Sequence, residues 1–280
     1  MKCLTILTIG LLIVDMTALT ETIALAPLRR IAAYRSLSAV RKNDAMSKVL
    51  SAGYVNDVKR ELEQLSKVSG MRAVYNELET VCVIDKWIAQ KADKCLQNRP
   101  DMDQIVVINA GMGSLPYCLE ASRRCTVFEI DSAVVFFMKK HLINMSPEKV
   151  RMYAHWLHYC PCTIDNHTVM NDGWFDSLQD AGWDQSATSL FIMQDTADEL
   201  KLESVEHVLL TALHRTKTGS VVIFNTGRML DERRRVENWL MNLGYTEFEI
   251  DLLSDKKIHE GVLSIHDPGF TENWLVCCSS

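Results

Sequence analysis

The stretch that decides the fold runs from Gln104 to Gly113, QIVVIN followed by AGMG. An unbroken apolar run bounded by turn residues reads as a strand buried on both faces, too short for an amphipathic helix. It ends in Gly111-Met-Gly113. Glycines let a backbone approach a bound ligand closely, and the helix that follows presents an N-terminus that favours a negative group. Ligands of open α/β sheets sit beyond the carboxyl ends of such strands. The third glycine of a dinucleotide fingerprint would fall at Pro116, which disfavours a pyrophosphate there.

Working outward, three more runs repeat the pattern: Cys125 to Asp131, Ser189 to Gln194 and Ser220 to Asn225. Helical periodicity separates them, over 115–123, 132–143, 198–214 and 231–242. Apolar strands alternating with helices predict a parallel sheet covered on both faces. The C-terminus breaks the rhythm. Tyr245 to Leu253 and Asn273 to Cys278 read as strands with only a loop between them, so they should pair antiparallel. A mostly parallel, seven-stranded α/β sheet ending in an antiparallel hairpin is the Rossmann-like methyltransferase pattern, which dinucleotide dehydrogenases lack.

The chain has 280 residues, 48% hydrophobic and 24% charged, fractions of an ordinary globular protein. Residues 1–43 carry six of its basic residues and two of its acids. The remaining 24 basic and 34 acidic residues make a body too acidic to hold a phosphate backbone, so nucleic acid is not an expected partner. The run from Cys3 to Val14 is too short to span a bilayer and fits a signal-peptide core behind Lys2. From Glu21 to Asp44 there is no acid between, but Arg29, Arg30, Arg35, Arg41 and Lys42 are present, with Ser36 and Ser38. That is transit-peptide chemistry. Residues 1–43 are therefore read as a targeting segment for an organelle, a plastid being one destination and the cytoplasm the alternative. No stable membrane span is expected in the mature chain. Residues 44–280 are read as one domain, a helical cap over 44–98 and the core over 100–280.

Nine cysteines, with adjacent Cys277-Cys278 and Cys160-Pro-Cys162, do not form the framework of a small secreted domain and suggest a reducing compartment. His155, His158, Cys160, Cys162 and His167 crowd one segment, but C-x-C with scattered histidines lacks a closed zinc geometry, and no metal is expected. Glu129-Ile-Asp131 closes the second strand, where a carboxylate can accept both ribose hydroxyls of a nucleoside. With the G-x-G one strand earlier, that points to S-adenosylmethionine.

Several segments, in order, resemble the leucine carboxyl methyltransferase family, which also contains tRNA wybutosine-type carboxyl methyltransferases and polyketide-type O-methyltransferases. They are Gly53-Tyr-Val-Asn-Asp57, Arg72 to Thr80 with Ile84-Asp85, Ile105 to Gly113, Val127-Phe-Glu-Ile-Asp131 with Lys139, Gly173-Trp-Phe-Asp-Ser-Leu178, Ala181-Gly-Trp-Asp184 and Thr188 to Ile192. The resemblance implies a methyl transfer from S-adenosylmethionine to a carboxylate or other oxygen, on a protein C-terminus or a small molecule. It implies that Gly111 and Gly113 line the methionine portion and Glu129 the ribose. Asp165 would meet the adenine, with Asn171 and Asp172 an alternative register, and Gln194 and Asp195 would face the pocket mouth. It names no catalytic residue, since a carboxylate is already ionised at neutral pH. Three positions depart from the family pattern. Glu79 stands where a carboxylate-gripping arginine is expected, Ser114-Leu-Pro116 replaces an Asp-Thr pair, and Gln194-Asp195 replaces a Glu-Gly or Glu-Cys pair. The alternative reading is a non-catalytic binding or scaffold protein on the same fold, discriminated by whether a basic residue from elsewhere, such as Arg72, fills the place of Glu79.

Overall fold

The computed structural model describes residues 28–37, 44–51, 53–194, 199–226, 230, 232–255 and 274–279, excluding the side chains of 69 and 71–79. Strands β1 (Met102–Ile108), β2 (Thr126–Asp131), β3 (Trp156–Pro161), β4 (Thr188–Met193), β5 (Val221–Asn225), β6 (Glu247–Leu252) and β7 (Trp274–Ser279) form one sheet in the order β3-β2-β1-β4-β5-β7-β6. The first five are parallel; β7 runs antiparallel to β5 and β6. This is the Rossmann-like methyltransferase arrangement expected from the sequence. The sheet order reverses around β1, so the carboxyl ends of β1, β2 and β4 open a crevice there.

Alternation along the strands divides the core. Val106, Ile108, Phe128, Phe191 and Phe224 point to one face, and Ile105, Val107, Val127, Leu190 and Ile223 to the other. The first face is covered by α7 (Gly173–Asp180), α8 (Leu202–His214) and α9 (Arg233–Leu243), through Trp174, Phe175, Leu209 and Leu240. The second is covered by the far half of α3 (Tyr54–Asn98), through Val83, Ile84, Ile88, Ala92 and Leu96. α3 breaks at Gly70, whose φ of 81° and ψ of 159° end one helix and start another. Beyond β2, α5 (Ala133–Met145) is capped by Ser132, whose hydroxyl accepts from Val135 N. The helix expected over 115–123 is shorter: α4 (Leu115–Cys118) stops and a 3-10 turn, Glu120–Arg124, follows. No described helix is long and apolar enough to cross a membrane.

Residues 28–37 lie in the segment read above as an address, yet they are helical and packed. In this helix, α1, Ala32 and Ala33 are fully buried and Tyr34 and Arg35 nearly so. Ala33 and Tyr34 pack with Val58 and Leu62 of α3, and Ala32 with Met46 and Leu50 of α2 (Ala45–Ser51). Its charges are also engaged. The Arg29 guanidinium lies over the Tyr54 ring, Arg30 Nε donates to Tyr34 Oη at 2.7 Å, and Arg35 forms a buried ion pair with Asp85. A chain shortened to begin at Asp44 should therefore be less stable by about 3–5 kcal/mol than one beginning at Leu28, because Met46, Leu50, Val58 and Leu62 lose the apolar surface that covers them and Asp85 loses its cation. Urea unfolding of the two chains measures the difference.

Candidate functional site

The crevice is built around the turn after β1. Asn109 and Gly111 adopt positive φ, 58° and 51°. Two bonds pin this turn to β2. Ala110 N donates to Ile130 O at 3.1 Å, and Gly111 N donates to Asp131 Oδ2 at 2.7 Å. The other Asp131 oxygen accepts from Ser132 N at 2.6 Å. Burial pushes the Asp131 carboxyl above the ordinary carboxylate range, and these two N–H donors oppose it. Gly113 N returns to Ala110 O at 2.9 Å, and a Cβ on Gly113 would stand 2.8 Å from that same oxygen. Ser114 Oγ then donates to Asp44 Oδ2 at 2.8 Å, while Asp44 Oδ1 accepts from Ser47 N. The turn is thus fastened to β2 on one side and to the start of α2 on the other.

Glu129 is 1% exposed and reaches the crevice from β2, but its carboxylate is already held. Lys139 of α5, fully buried, places Nζ at 2.8 Å from both carboxylate oxygens. Burial pushes the Glu129 carboxyl upward and Lys139 opposes it. The pair secures α5 against β2 beneath the turn.

Arg35 supplies the cation at this crevice. Its Nε and Nη2 donate to Asp85 of α3 at 2.5 and 3.0 Å, and Nη1 lies 3.5 Å from Met112 O, inside the G-x-G turn. Sequence reading counted Arg35 among the transit-peptide arginines and so missed it. The usable signal was the Ala32-Ala33 pair beside Tyr34, an apolar stripe that an unfolded presequence does not need. Glu199 was missed too: it lines the crevice after β4 and accepts from Asn109 Nδ2 at 2.8 Å.

The predicted residues are partly brought together. Gly111, Gly113, Glu129 and Gln194 all line this crevice, with Arg35 and Asp85. Asp165 does not: it is exposed and caps α6 (Asn166–Met170), accepting from Thr168 N at 2.8 Å, which holds its carboxyl below the ordinary range. Asn171 bonds back to His167 O, and Asp172 heads α7, bonding His207 and Arg215. Neither lines the crevice. Asp195 and the side chains of Arg72 and Glu79 lie outside the described residues. Among the described residues, no three His, Cys, Asp or Glu side chains converge to hold a metal.

A family model described as leucine carboxyl methyltransferase matches residues 32–213. The match begins inside α1, three residues before Arg35. A curated relative, O-methyltransferase 1, chloroplastic, of Oryza sativa subsp. japonica, is 23% identical over 172 residues, 58% of this chain and 46% of that protein. The chain thus spans about half the length of that relative. Among solved structures, magnesium protoporphyrin IX methyltransferase from Synechocystis PCC 6803, with bound S-adenosylmethionine, is similar at 9% identity and a TM-score of 0.45, over 72% of this chain and 83% of that one. Human N-acetylserotonin methyltransferase in complex with S-adenosylmethionine gives 12% identity and a TM-score of 0.40, over 77% and 57%.

Three variants test this local construction. Gly113→Ala should cost about 1–3 kcal/mol, since its Cβ has no room against the Ala110 carbonyl. Lys139→Met should cost about 3–5 kcal/mol by stranding the buried Glu129 carboxylate, whereas Lys139→Met combined with Glu129→Gln should recover most of that loss. Denaturant titration of the four proteins reads both effects.

Proposed function

The chain belongs to the leucine carboxyl methyltransferase family, and we propose from this that it binds S-adenosylmethionine over the Gly111–Gly113 turn and moves its methyl group to an acceptor oxygen. The observation that carries the reading is the buried Arg35 guanidinium, paired with Asp85, beside the G-x-G turn, which we take as the cation for the carboxylate of an amino-acid ligand. In this reading Arg35, from a different helix, takes the part that the sequence leaves open at Glu79.

In this reading Arg35, held in place by Asp85, receives the ligand carboxylate. Gly111 and Gly113 bring backbone against the methionine portion. Glu129 and Gln194 line the remaining wall, with Glu199 at the rim able to face an ammonium group. S-adenosylmethionine supplies an activated methyl on a positively charged sulfur. The acceptor class that the family name suggests is a carboxylate, of a protein C-terminus or a small molecule. Such an acceptor arrives ionised, so the chain needs no general base. Its own contribution is then to orient the acceptor and exclude water, the terms that positioning supplies. We also propose a single domain that begins by residue 28, with any organelle address confined to the residues before it.

Isothermal titration of S-adenosylmethionine and S-adenosylhomocysteine into the full chain tests the proposal. Micromolar binding is expected. Joint replacement Arg35→Gln with Asp85→Asn, which removes both charges and keeps hydrogen-bonding groups, should weaken it at least about tenfold, the value of one charged hydrogen bond. A folded protein that gives no heat at millimolar ligand would leave the binding or scaffold reading in its place.

A further inference from the structure

One face of α3 is fastened to the C-terminal hairpin by residues spaced four apart, Trp87, Lys91 and Cys95, which share a helical stripe. Trp87 Nε1 donates to Asp251 Oδ2 at 2.7 Å. Lys91 pairs with Glu249 and stands 3.8 Å from Asp251. One turn further on, Cys95 and Cys277 of β7, the cross-strand partner of Glu249, share one cavity wall. Both are reduced and only partly buried. They open on a cavity of about 740 Å³, with Lys94 and Arg99 on its wall, away from the G-x-G crevice.

Neighbouring cysteines do not share this setting. Cys278 lies on the opposite face of β7, within the other half of the core, and burial pushes its thiol up. Burial likewise pushes Cys125 up to about 11 and Cys160 up to about 12. Cys95 is the exception: the neighbouring Cys277 thiol, then Arg99, Lys91 and Lys94, hold its thiol below the ordinary value against the effect of burial. The Cys277 thiol is pushed up by Cys95 beside it and by burial. An accessible thiol in an electropositive setting is the one that reacts as thiolate.

We propose that Cys95 and Cys277 form a redox-active dithiol that exchanges with an anionic low-molecular-weight disulfide of the glutathione class. The Cys95 thiolate attacks one sulfur of that disulfide. A Cys95 mixed disulfide forms, the original S–S bond breaks, and its electron pair leaves on the second sulfur, which takes up a proton. Cys277 then gives its proton to solvent and attacks Cys95 Sγ. The Cys95–Cys277 bond forms as the mixed disulfide breaks, releasing the second small thiol. One disulfide is reduced to two thiols, and two cysteines are oxidised to one disulfide. Lys91, Lys94 and Arg99 outnumber Glu247 and Glu249 on the cavity wall and favour an anionic reagent. The product ties the end of α3 covalently to β7, ten residues along the helix from Asp85.

The test uses the full chain with oxidised glutathione and no cofactor, so its outcome is independent of the methyltransferase reading. Native-state exchange is followed by alkylation and peptide mass mapping, with circular dichroism confirming each variant is folded. The wild type should gain a Cys95–Cys277 disulfide and release two glutathiones per chain. Cys277→Ser should stop at one glutathionyl group on Cys95, and Cys95→Ser should lose the reaction. A wild type that keeps both thiols alkylatable, or a Cys95→Ser protein that reacts as the wild type does, overturns the proposal. So does modification falling first on Cys82, Cys118 or Cys162.

Discussion

The buried ion pair between Arg35 and Asp85 is the interaction on which the site depends. A guanidinium removed from water is tolerated only when its donors are met, and two of them meet both oxygens of one carboxylate. That geometry fixes more than two side chains. It joins α1 to α3 across fifty residues of sequence and brings Nη1 toward the Met112 carbonyl in the turn between β1 and α4. Three segments that could each drift are thereby held in one relation. The desolvation cost of the pair is offset by the apolar surface buried around it, Ala32 and Ala33 on one side and Ile84 and Ile88 on the other.

The turn itself is held by a second, separate set of bonds, and the two acids of the E-x-D segment have different duties in it. Residue alternation along β2 sends their side chains to the same face, but not to the same partner. Asp131, at the strand end, accepts from the backbone on both sides of it and so fixes the path of the G-x-G turn. Glu129, two residues inside, is drawn to Lys139 beneath the turn. A carboxylate with a fully buried lysine on both oxygens is a wall of the crevice first. Its use toward a ribose requires it to share that cation's hold, which distinguishes it from an open acceptor at a strand end.

The parts legible in the sequence were those with short-range signatures. The strands β1, β2, β4 and β5 are buried on both faces, so each appears as an unbroken apolar run, and a sequence without a helical pattern between Leu253 and Asn273 gave the antiparallel hairpin away. β3 is different. It is the sheet edge, with Trp156 exposed and only Cys160 buried, so it carries no unbroken apolar run. The site was legible where glycines marked it and obscure where it depended on long-range pairing. Arg35 sits in a basic, acid-free stretch because its partner acid, Asp85, is supplied by α3. Composition alone cannot tell a cation whose counter-charge is distant from one that has none. Asp165 was read for the crevice and lies away from it for the converse reason: an acid before a short helix satisfies that helix's own N–H groups.

α3 is the element that both halves of the molecule share. Its inner face fills the core against β1 and β4, its Asp85 end holds Arg35 at the crevice, and its Trp87, Lys91 and Cys95 stripe holds β6 and β7. A straight helix transmits position along its axis at about 1.5 Å per residue, so Asp85 and Cys95 lie about 15 Å apart on one rigid body. The terminal hairpin is therefore mechanically continuous with the crevice, although no residue of β6 or β7 lines it. Any change that redraws the contacts of Cys95 with β7 acts on the same helix that positions the Arg35 guanidinium. The antiparallel strands that distinguish this sheet are thus a second anchorage for the cation at the G-x-G turn, beyond their part in closing the core.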